Sequence, residues 1–452
     1  MTDTQTQIPN IRHLALQALS DINRGGAYAN VVLKQYISKY GLGDLDRRFF
    51  TELVYGVIRR RNYLDVIIEH LTKKKIKKLS SLVVEILRLG LYQMIYMDKV
   101  PNSAAVNESV KLAKKMTRGL SGFVNGVLRN ADRQAESLTI DDLAKTPIEL
   151  IAYTYNQPTW LVEYWCQQMG TEATEELCAW FNEKPYLSAR INGLKTDVEG
   201  CIKELEEAGW IISRDQDFDD LIYIDKHLGS LEASKFVKEG YITFMDKASL
   251  MVGRVVNPKP GERILDTCAA PGGKTMHMAS LMRNEGILVA CDVYDHKLAL
   301  MEDNAKRLGV TIVKTCLQDG REIPESQAGS YDRVLVDAPC SGLGILQKKL
   351  DMRWRKEPSS LIDLPKLQAA ILDRAAMTVK EGGILVYSTC TINPLENQEV
   401  VKTFLKDHKE FRLDPIGPDE LPVAPVDGMV TVNPARHDMD GFFMARMRKE
   451  KA

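Results

Sequence analysis

The stretch that most constrains this chain is residues 264–275, ILDTCAAPGGKT, where a short apolar run ends in Asp266 and breaks into a turn of small residues before a helical pattern begins. A strand feeding such a turn and then a helix makes a ligand-binding corner. Nothing larger than a methyl group blocks the backbone at Ala269, Ala270, Gly272 and Gly273, and the N–H groups that open the helix are unpaired donors. The dinucleotide fingerprint G-x-G-x-x-G is absent. A phosphate-cradling Walker loop would need glycine five residues before Gly273, where this chain has Cys268, so Lys274 and Thr275 imitate that motif only in part. A close-packing corner with no ligand is the competing reading. Against it stands a second apolar run, residues 286–292 (GILVACD), which ends in Asp292 at about the distance where doubly wound folds place an acid on ribose hydroxyls. The pair suits a nucleoside-bearing cofactor.

The 452 residues, 44% hydrophobic and 27% charged, leave room for two or three domains with cores of their own. The opening MTDTQTQIPN is polar, and no run approaches eighteen apolar residues. Neither a secretory signal nor a membrane span is expected, and the location expected is cytoplasmic. Eight cysteines form no C-x-x-C pair, so no metal site is expected. The net charge of −1 hides an asymmetry. Residues 1–133 carry 22 Lys and Arg against 11 Asp and Glu, including Arg59-Arg60-Arg61 and the run KKKIKK at 73–78. Solvated helix faces would account for some of this, but an excess so concentrated favours a polyanionic partner, RNA or DNA.

From residue 11 to 129, apolar residues recur at helical spacing: Leu14, Leu16, Leu19 and Ile22, then Phe49, Leu53 and Val57, then Val83, Ile86, Leu87 and Leu91. Breakers at Gly25-Gly26, Gly41-Leu42-Gly43 and Pro101-Asn102-Ser103 separate them, predicting an all-α bundle. Residues 134–245 turn acidic and mix helical stretches with the strand-like runs LSARI, WIISR, LIYI and GYITF, a small α+β module. Arg190 and Asn192 in it are candidates for contact with a nucleic-acid backbone, or are simply solvated. From 246 the βα alternation is regular: strands at 262–267, 287–291, 311–315, 332–336 and 383–388, with helices at 275–283, 295–308, 359–380 and 395–407. A mostly parallel, doubly wound sheet follows, closed by an antiparallel strand near Phe442-Phe443.

Ligands of such sheets sit beyond the carboxyl ends of the strands. Those ends read Asp266, Asp292, Asp319, Asp337 with Pro339-Cys340, and Thr389-Cys390. Asp295, just after Tyr294, reads as a helix cap. Asn393-Pro394-Leu395-Glu396 reads as a capping box, which would put Cys390 just before a helix N-terminus, where partial positive charge favours thiolate. A buried, inert cysteine at a strand end is the alternative.

The runs DTCAAPGGKT, DRVLVDAPCSGLGIL and ILVYSTCTINPLENQEVV, with DGFF near the end, resemble the signature segments of the Sun (Fmu) family of S-adenosylmethionine-dependent RNA cytosine-5 methyltransferases. LDRRFFTELVYGVIRR, VPNSAAVNESVKLAKK and GFVNGVLRN resemble the RNA-binding NusB domain that occurs fused to such enzymes. The resemblance covers most of the chain. It implies an N-terminal all-α NusB-like RNA-binding bundle (1–133), a small α+β RNA-binding module with linker helices (134–245) and a C-terminal Rossmann-like α/β methyltransferase domain (246–452). It implies that Cys268, Ala269, Ala270, Pro271, Gly272, Gly273 and Lys274 surround the methionine moiety of S-adenosylmethionine, that Asp292 holds its ribose, that Asp319 lies by its adenine, and that Asp337 faces both cofactor and base. Attack on the base falls to Cys390 and assistance in release to Cys340. The implied substrate is small-subunit ribosomal RNA, with no metal, no membrane and a monomeric chain. Two departures, at residues 244–249 (FMDKAS) and at Leu350-Asp351 before Arg353-Trp354, fall where the family pattern is expected to face RNA. Two other classes stay open: a DNA cytosine-5 methyltransferase, whose nucleophile sits in a Pro-Cys pair, and an RNA-binding assembly factor without turnover.

Overall fold

The computed structural model describes residues 10–24, 28–231, 233–417 and 420–451, and these form two compact units. The Gly25-Gly26 breaker and all but the last residue of the polar opening lie outside the described residues. Among the described residues no helix is long and apolar enough to cross a membrane.

The first unit runs to Asn182 and includes Lys349–Arg355. It is helical, as expected: Ile11–Arg24, Ala29–Tyr40, Asp44–Thr72, Ser81–Tyr96, Asn102–Met116 and Ser121–Arg133 are followed by shorter helices ending at Trp180. Leu14, Leu16, Leu19 and Ile22 are buried, as their spacing predicts. Phe50, not Phe49, is the core residue of its helix; Phe49 is only half-buried, under the Arg12 guanidinium. Ser81–Tyr96 is mostly apolar and largely buried in the bundle, Glu85, Arg88 and Gln93 included. Its one buried cation, Arg88, is compensated by a two-pronged pair with Asp65 (2.6 and 2.7 Å) and by Glu85. The segment Lys349–Arg355 is built into this unit. Trp354 Nε1 donates to Ile58 O (2.9 Å), Arg353 to Asn156 O (3.2 Å), and the Ala29 amide to Asp351 Oδ2 (3.2 Å). Asp351 is therefore a buried structural acceptor, which corrects the expectation that this departure faces RNA.

The second unit holds two sheets. The smaller joins β1 (Ser188–Ile191), β2 (Ile211–Arg214), β3 (Leu221–Lys226) and β4 (Ile242–Phe244) in the order β2-β3-β1-β4, all antiparallel, with helices Val198–Glu207 and Lys235–Lys238 completing a βαββαβ path. Ala189, Ile191, Ile222, Ile224 and Ile242 fill its core. Arg190 and Asn192 are each only 1% exposed, so the reading of them as nucleic-acid contacts is corrected. Asn192 Nδ2 donates to Gly240 O (2.9 Å) and Leu308 O (2.8 Å), fastening the module to helix Asp295–Leu308. A Cβ at Gly240 would lie 2.2 Å from Arg307 O, so that approach requires glycine.

The larger sheet is built from β5 (Arg263–Asp266), β6 (Ile287–Asp292), β7 (Val313–Leu317), β8 (Tyr331–Asp337), β9 (Val379–Thr389), β10 (Phe411–Leu413), β11 (Met429–Thr431) and β12 (Phe443–Lys449). Its order is β10-β12-β9-β8-β5-β6-β7, with β11 pairing β12. β5 to β9 are mutually parallel where they pair, and β12 runs antiparallel to β9 as expected. Both faces are buried, and the strands alternate between two cores. Ile264, Ala290, Leu335, Ile384 and Met444 pack on one side. Leu265, Cys291, Val334, Val336, Leu385, Tyr387 and Phe443 pack on the other, against helices Ser360–Met377 and Gln398–Asp407. The order reverses between β5 and β8, which makes that gap the switch point where a ligand crevice opens.

Candidate functional site

The crevice beyond β5, β6 and β8 is a cavity of about 540 Å³, and Cys268, Ala270, Asp292, Asp319 and Asp337 line it together with Tyr294, Lys297, Leu367 and Ile371. Five of the residues singled out in the sequence thus share one cavity wall. Ala269, Pro271, Gly272, Gly273 and Lys274 do not line it; they shape the turn that forms its edge. The Ala269 amide donates to Cys291 O (2.8 Å) and the Gly272 amide to Ala269 O (2.8 Å). Gly272 has φ +97°, and a Cβ there would meet Met301 Cγ at 2.8 Å, so both conformation and space exclude a side chain. The Ala270–Pro271 peptide is cis.

Asp266 is not on the wall. It is buried beneath the turn and accepts from Thr275 Oγ1 (2.7 Å). Burial, with the charge of Asp337 adding, raises its carboxyl to about 7 despite that bond. Asp292 accepts from the Ala270 amide (3.3 Å) and the Tyr294 amide (3.1 Å), so one carboxylate ties the two loops together. Asp295 was expected to cap the next helix. Instead it occupies the first turn of Asp295–Leu308, whose N-cap residue Tyr294 makes no side-chain cap bond. Asp319 is paired with Arg321, whose hydrogen bond holds its carboxyl below the ordinary range.

Asp337 accepts from Lys274 Nζ (2.6 Å) and Ser388 Oγ (2.8 Å). Burial works against the Lys274 ammonium, but the charge and hydrogen bond of Asp337 together with Cys390 and Asp266 outweigh it, so the group stays cationic. Lys274 also lies over the Phe442 ring, 5.1 Å from its centroid.

Cys340 and Cys390 stand outside the cavity wall but next to each other, Sγ to Sγ 3.2 Å, both as free thiols. The contact with Cys390 and burial together push the Cys340 thiol well above its ordinary range. The capping box expected after Cys390 is not there. Asn393 accepts from the Leu395 amide (3.2 Å) and caps only the short 3₁₀ turn Pro394–Glu396, while the α-helix starts at Gln398. The Asn393 amide donates to Thr391 Oγ1 (3.3 Å), and the buried Glu396 carboxylate accepts from Ser341, Gln368 and the Asn393 side chain. The positive charge near Cys390 is therefore Lys274 rather than a helix terminus. Sequence reasoning passed over Ser388 and gave Glu396 only a capping role, although both lie in the segment that flagged Cys390; the contacts they make depend on partners 51 and 55 residues away.

Among the described residues no cluster of His, Cys, Asp or Glu could hold a metal ion. The cavity wall suits a nucleoside carrying a cationic centre. Carboxylates at Asp292, Asp319 and Asp337 can accept from hydroxyl and amino groups and face positive charge, while Leu367 and Ile371 offer an apolar surface for a flat ring.

Comparison with known proteins gives three regional matches: residues 9–133 to the NusB family, 157–229 to a ferredoxin-like domain described as RsmF/B-like, and 254–448 to the family described as 16S rRNA methyltransferase RsmB/F. A Synechocystis protein named as a probable ribosomal RNA small subunit methyltransferase B is 40% identical over 446 residues, covering 97% of this chain and 99% of its own. The Bacillus subtilis protein of the same name is 37% identical over 447 residues, covering 98% and 99%. The crystal structure of PH0851 superposes with a TM-score of 0.81 at 29% identity, covering 98% of this chain and all of that one.

Proposed function

Because the chain belongs to the RsmB/F family of ribosomal RNA small subunit methyltransferases, we propose that it methylates carbon-5 of a cytosine in small-subunit ribosomal RNA through a covalent cysteine adduct. The observation that carries this reading is the 3.2 Å approach of Cys340 and Cys390 at the ends of neighbouring parallel strands, beside an acid-lined cavity. One thiol can activate carbon-5, which is too weak a nucleophile unaided, and the second stands close enough to assist release.

S-adenosylmethionine, the cofactor of the family, supplies an electrophilic methyl group on a sulfonium. Residues 268–274 would surround its methionine moiety, Asp292 its ribose hydroxyls and Asp319 its adenine. Cys390, near the Lys274 ammonium, adds through its sulfur to carbon-6 of a cytosine that has left its stack. The sulfur lone pair forms the S–C6 bond, and the displaced C5=C6 π electrons make carbon-5 nucleophilic. Asp337 accepts from the pyrimidine edge and, with Lys274, fixes its orientation. After methylation a base removes the carbon-5 proton, C5=C6 reforms, and the S–C6 bond breaks to return Cys390. Cys340, 3.2 Å from that sulfur, assists the release.

In this reading the chain divides into an RNA-binding bundle (1–133), a connecting module (134–245) and a catalytic domain (246–452), acting as a cytoplasmic monomer. The test is methyl transfer from labelled cofactor to small-subunit ribosomal RNA that lacks the modification, with nucleoside analysis of the product. 5-Methylcytidine is expected; label in any other nucleoside, or none, would overturn the reading. A DNA-modifying enzyme with Cys340 as nucleophile is the second reading, favoured only by the Pro339-Cys340 pair.

A further inference from the structure

One buried carboxylate in this corner has no part in the chemistry above. Glu396 is fully buried, and the partners that satisfy it are uncharged: the Ser341 amide (2.8 Å), the Ser341 hydroxyl, Gln368 Nε2 (2.9 Å) and Asn393 Nδ2 (2.9 Å). Gln368 also donates to Pro339 O (3.0 Å), so its amide spans the Cys340 loop and the carboxylate. The Ser341 and Thr391 hydroxyls meet at 2.7 Å. On the other side, Thr389 Oγ1 donates to Asn397 Oδ1 (2.6 Å), Asn397 Nδ2 to Thr391 O (2.9 Å), and Tyr387 to Glu396 O (2.6 Å). The residue after Cys340 and the residue after Cys390 are thus tied to each other and to one buried anion.

Resting on the assignment of Cys390 as the nucleophile, we propose that Glu396 is a positioning residue that clamps the Cys340 loop to the Cys390 turn and fixes which of the two thiols attacks. A buried carboxylate whose hydrogen-bond partners are neutral has no counter-ion among them, and burial strengthens its electrostatic influence on neighbouring groups. The titratable groups around the thiol pair are Lys274, Asp337, Tyr387 and Glu396, and they divide by side. Lys274 interacts with Cys390, whereas the Glu396 charge is among the influences that disfavour ionisation of Cys340. The Lys274–Asp337 ion pair near Cys390 and the Glu396 carboxylate near Cys340 make two otherwise similar thiols unequal. The clamp also sets the distance between the two sulfurs, and a displacement of about 1 Å in such a site costs roughly 10²-fold in rate.

Glu396→Gln in the full chain removes the charge at nearly constant shape. Peptide-resolved alkylation by iodoacetamide at pH 8 should then show Cys340 modified about tenfold faster, as its thiolate fraction rises. Methyl transfer should fall on the order of 10- to 100-fold in kcat, with the cofactor Kd within about twofold of the parent. Unchanged alkylation of Cys340 together with unchanged kcat would overturn the proposal. If circular dichroism shows Glu396→Gln unfolded, Ser341→Ala carries the test. It loosens the clamp but keeps the charge, so kcat should fall while Cys340 alkylation and cofactor affinity stay at the parent values; an unchanged kcat overturns the clamp. Methyl transfer by Cys390→Ser would sink the underlying assignment instead, and would do so without altering the alkylation result.

Discussion

The turn at 266–275 and the corner that holds the thiols lie on one sheet edge but are held by different means. The turn is fixed by backbone: the Gly272 amide donates to Ala269 O within it, the Ala269 amide donates to Cys291 O on the neighbouring strand β6, and Gly272 fits because it lacks a side chain. The thiol corner is fixed by side chains brought together from different segments, with Ser341, Gln368 and Asn393 converging on the buried carboxylate of Glu396. A backbone-built site tolerates change of neighbouring side chains and fails on insertion of a Cβ. A network-built site fails on loss of any one partner, because a buried polar group left unpaired costs about 1 to 3 kcal/mol.

The contrast is sharpest for the two cysteines, where the largest effects are expected. Cys390→Ser should lower methyl transfer by at least about 10³-fold, since a serine hydroxyl is scarcely ionised near neutral pH, and no covalent protein–RNA species should form. Cys340→Ser should lose turnover yet accumulate a denaturant-resistant protein–RNA complex when RNA and cofactor are both present. A denaturing gel with labelled RNA reads both outcomes. The reverse pattern would exchange the roles of the two thiols and favour the DNA-enzyme-like reading.

The same contrast explains what could be read in advance. The turn was legible because its determinants are consecutive residues: a strand, an acid, small residues and a helix start. The alternating strands were legible for a similar reason, although β9 begins at Val379, earlier than the apolar run suggested, and the last helix starts at Gln398, three residues later. The thiol corner misled because a local motif, Asn393-Pro394-Leu395-Glu396, had a better partner elsewhere. A capping box is worth little against a buried amide and hydroxyl that need an acceptor. Arg190 and Asn192 misled in the same way. Polar residues at a strand end look solvated until other elements cover them, here helix Asp295–Leu308 for Asn192 and helix Gly273–Leu281, through Ser280, for Arg190.

Asp292 joins the two kinds of construction, being a side chain that braces backbone on both flanking loops. Asp292→Ala should weaken S-adenosylmethionine binding by about 1.5 to 3 kcal/mol, roughly 10- to 150-fold in Kd by titration calorimetry. Asp292→Asn keeps an acceptor and should cost less. Equal affinity in a folded alanine variant would take Asp292 out of the site.

Gly272→Ala tests the backbone-built turn directly. At φ +97° with Met301 Cγ 2.8 Å from the added methyl, it should cost about 1 to 3 kcal/mol of stability and weaken cofactor binding in step. Adding Met301→Ala relieves the collision but not the conformational strain, so thermal unfolding should recover only in part. Full recovery would show that space alone, and not backbone conformation, requires glycine here.

The smallest effect expected is a pH slope in stability from the acid beneath the turn. Asp266 titrates near 7 in the folded protein, raised by burial and by Asp337, against about 3.9 in an unfolded chain. Between those values the folded state holds a proton that the unfolded state has released, so stability falls as pH rises through that window and levels off above it. Asp266→Asn cannot release a proton and should lose this component while keeping a polar partner for Thr275, 2.7 Å away in the parent. Asp440, raised to about 7 by burial and by Asp246, contributes a slope of the same sign and should remain. The melting temperature of the parent should therefore drop by a few degrees more than that of Asp266→Asn between pH 5 and 7.5. Parallel curves would mean that Asp266 is ionised at neutral pH, with Lys274 or Thr275 compensating its charge, and the turn would then rest on a buried ion pair as much as on its backbone.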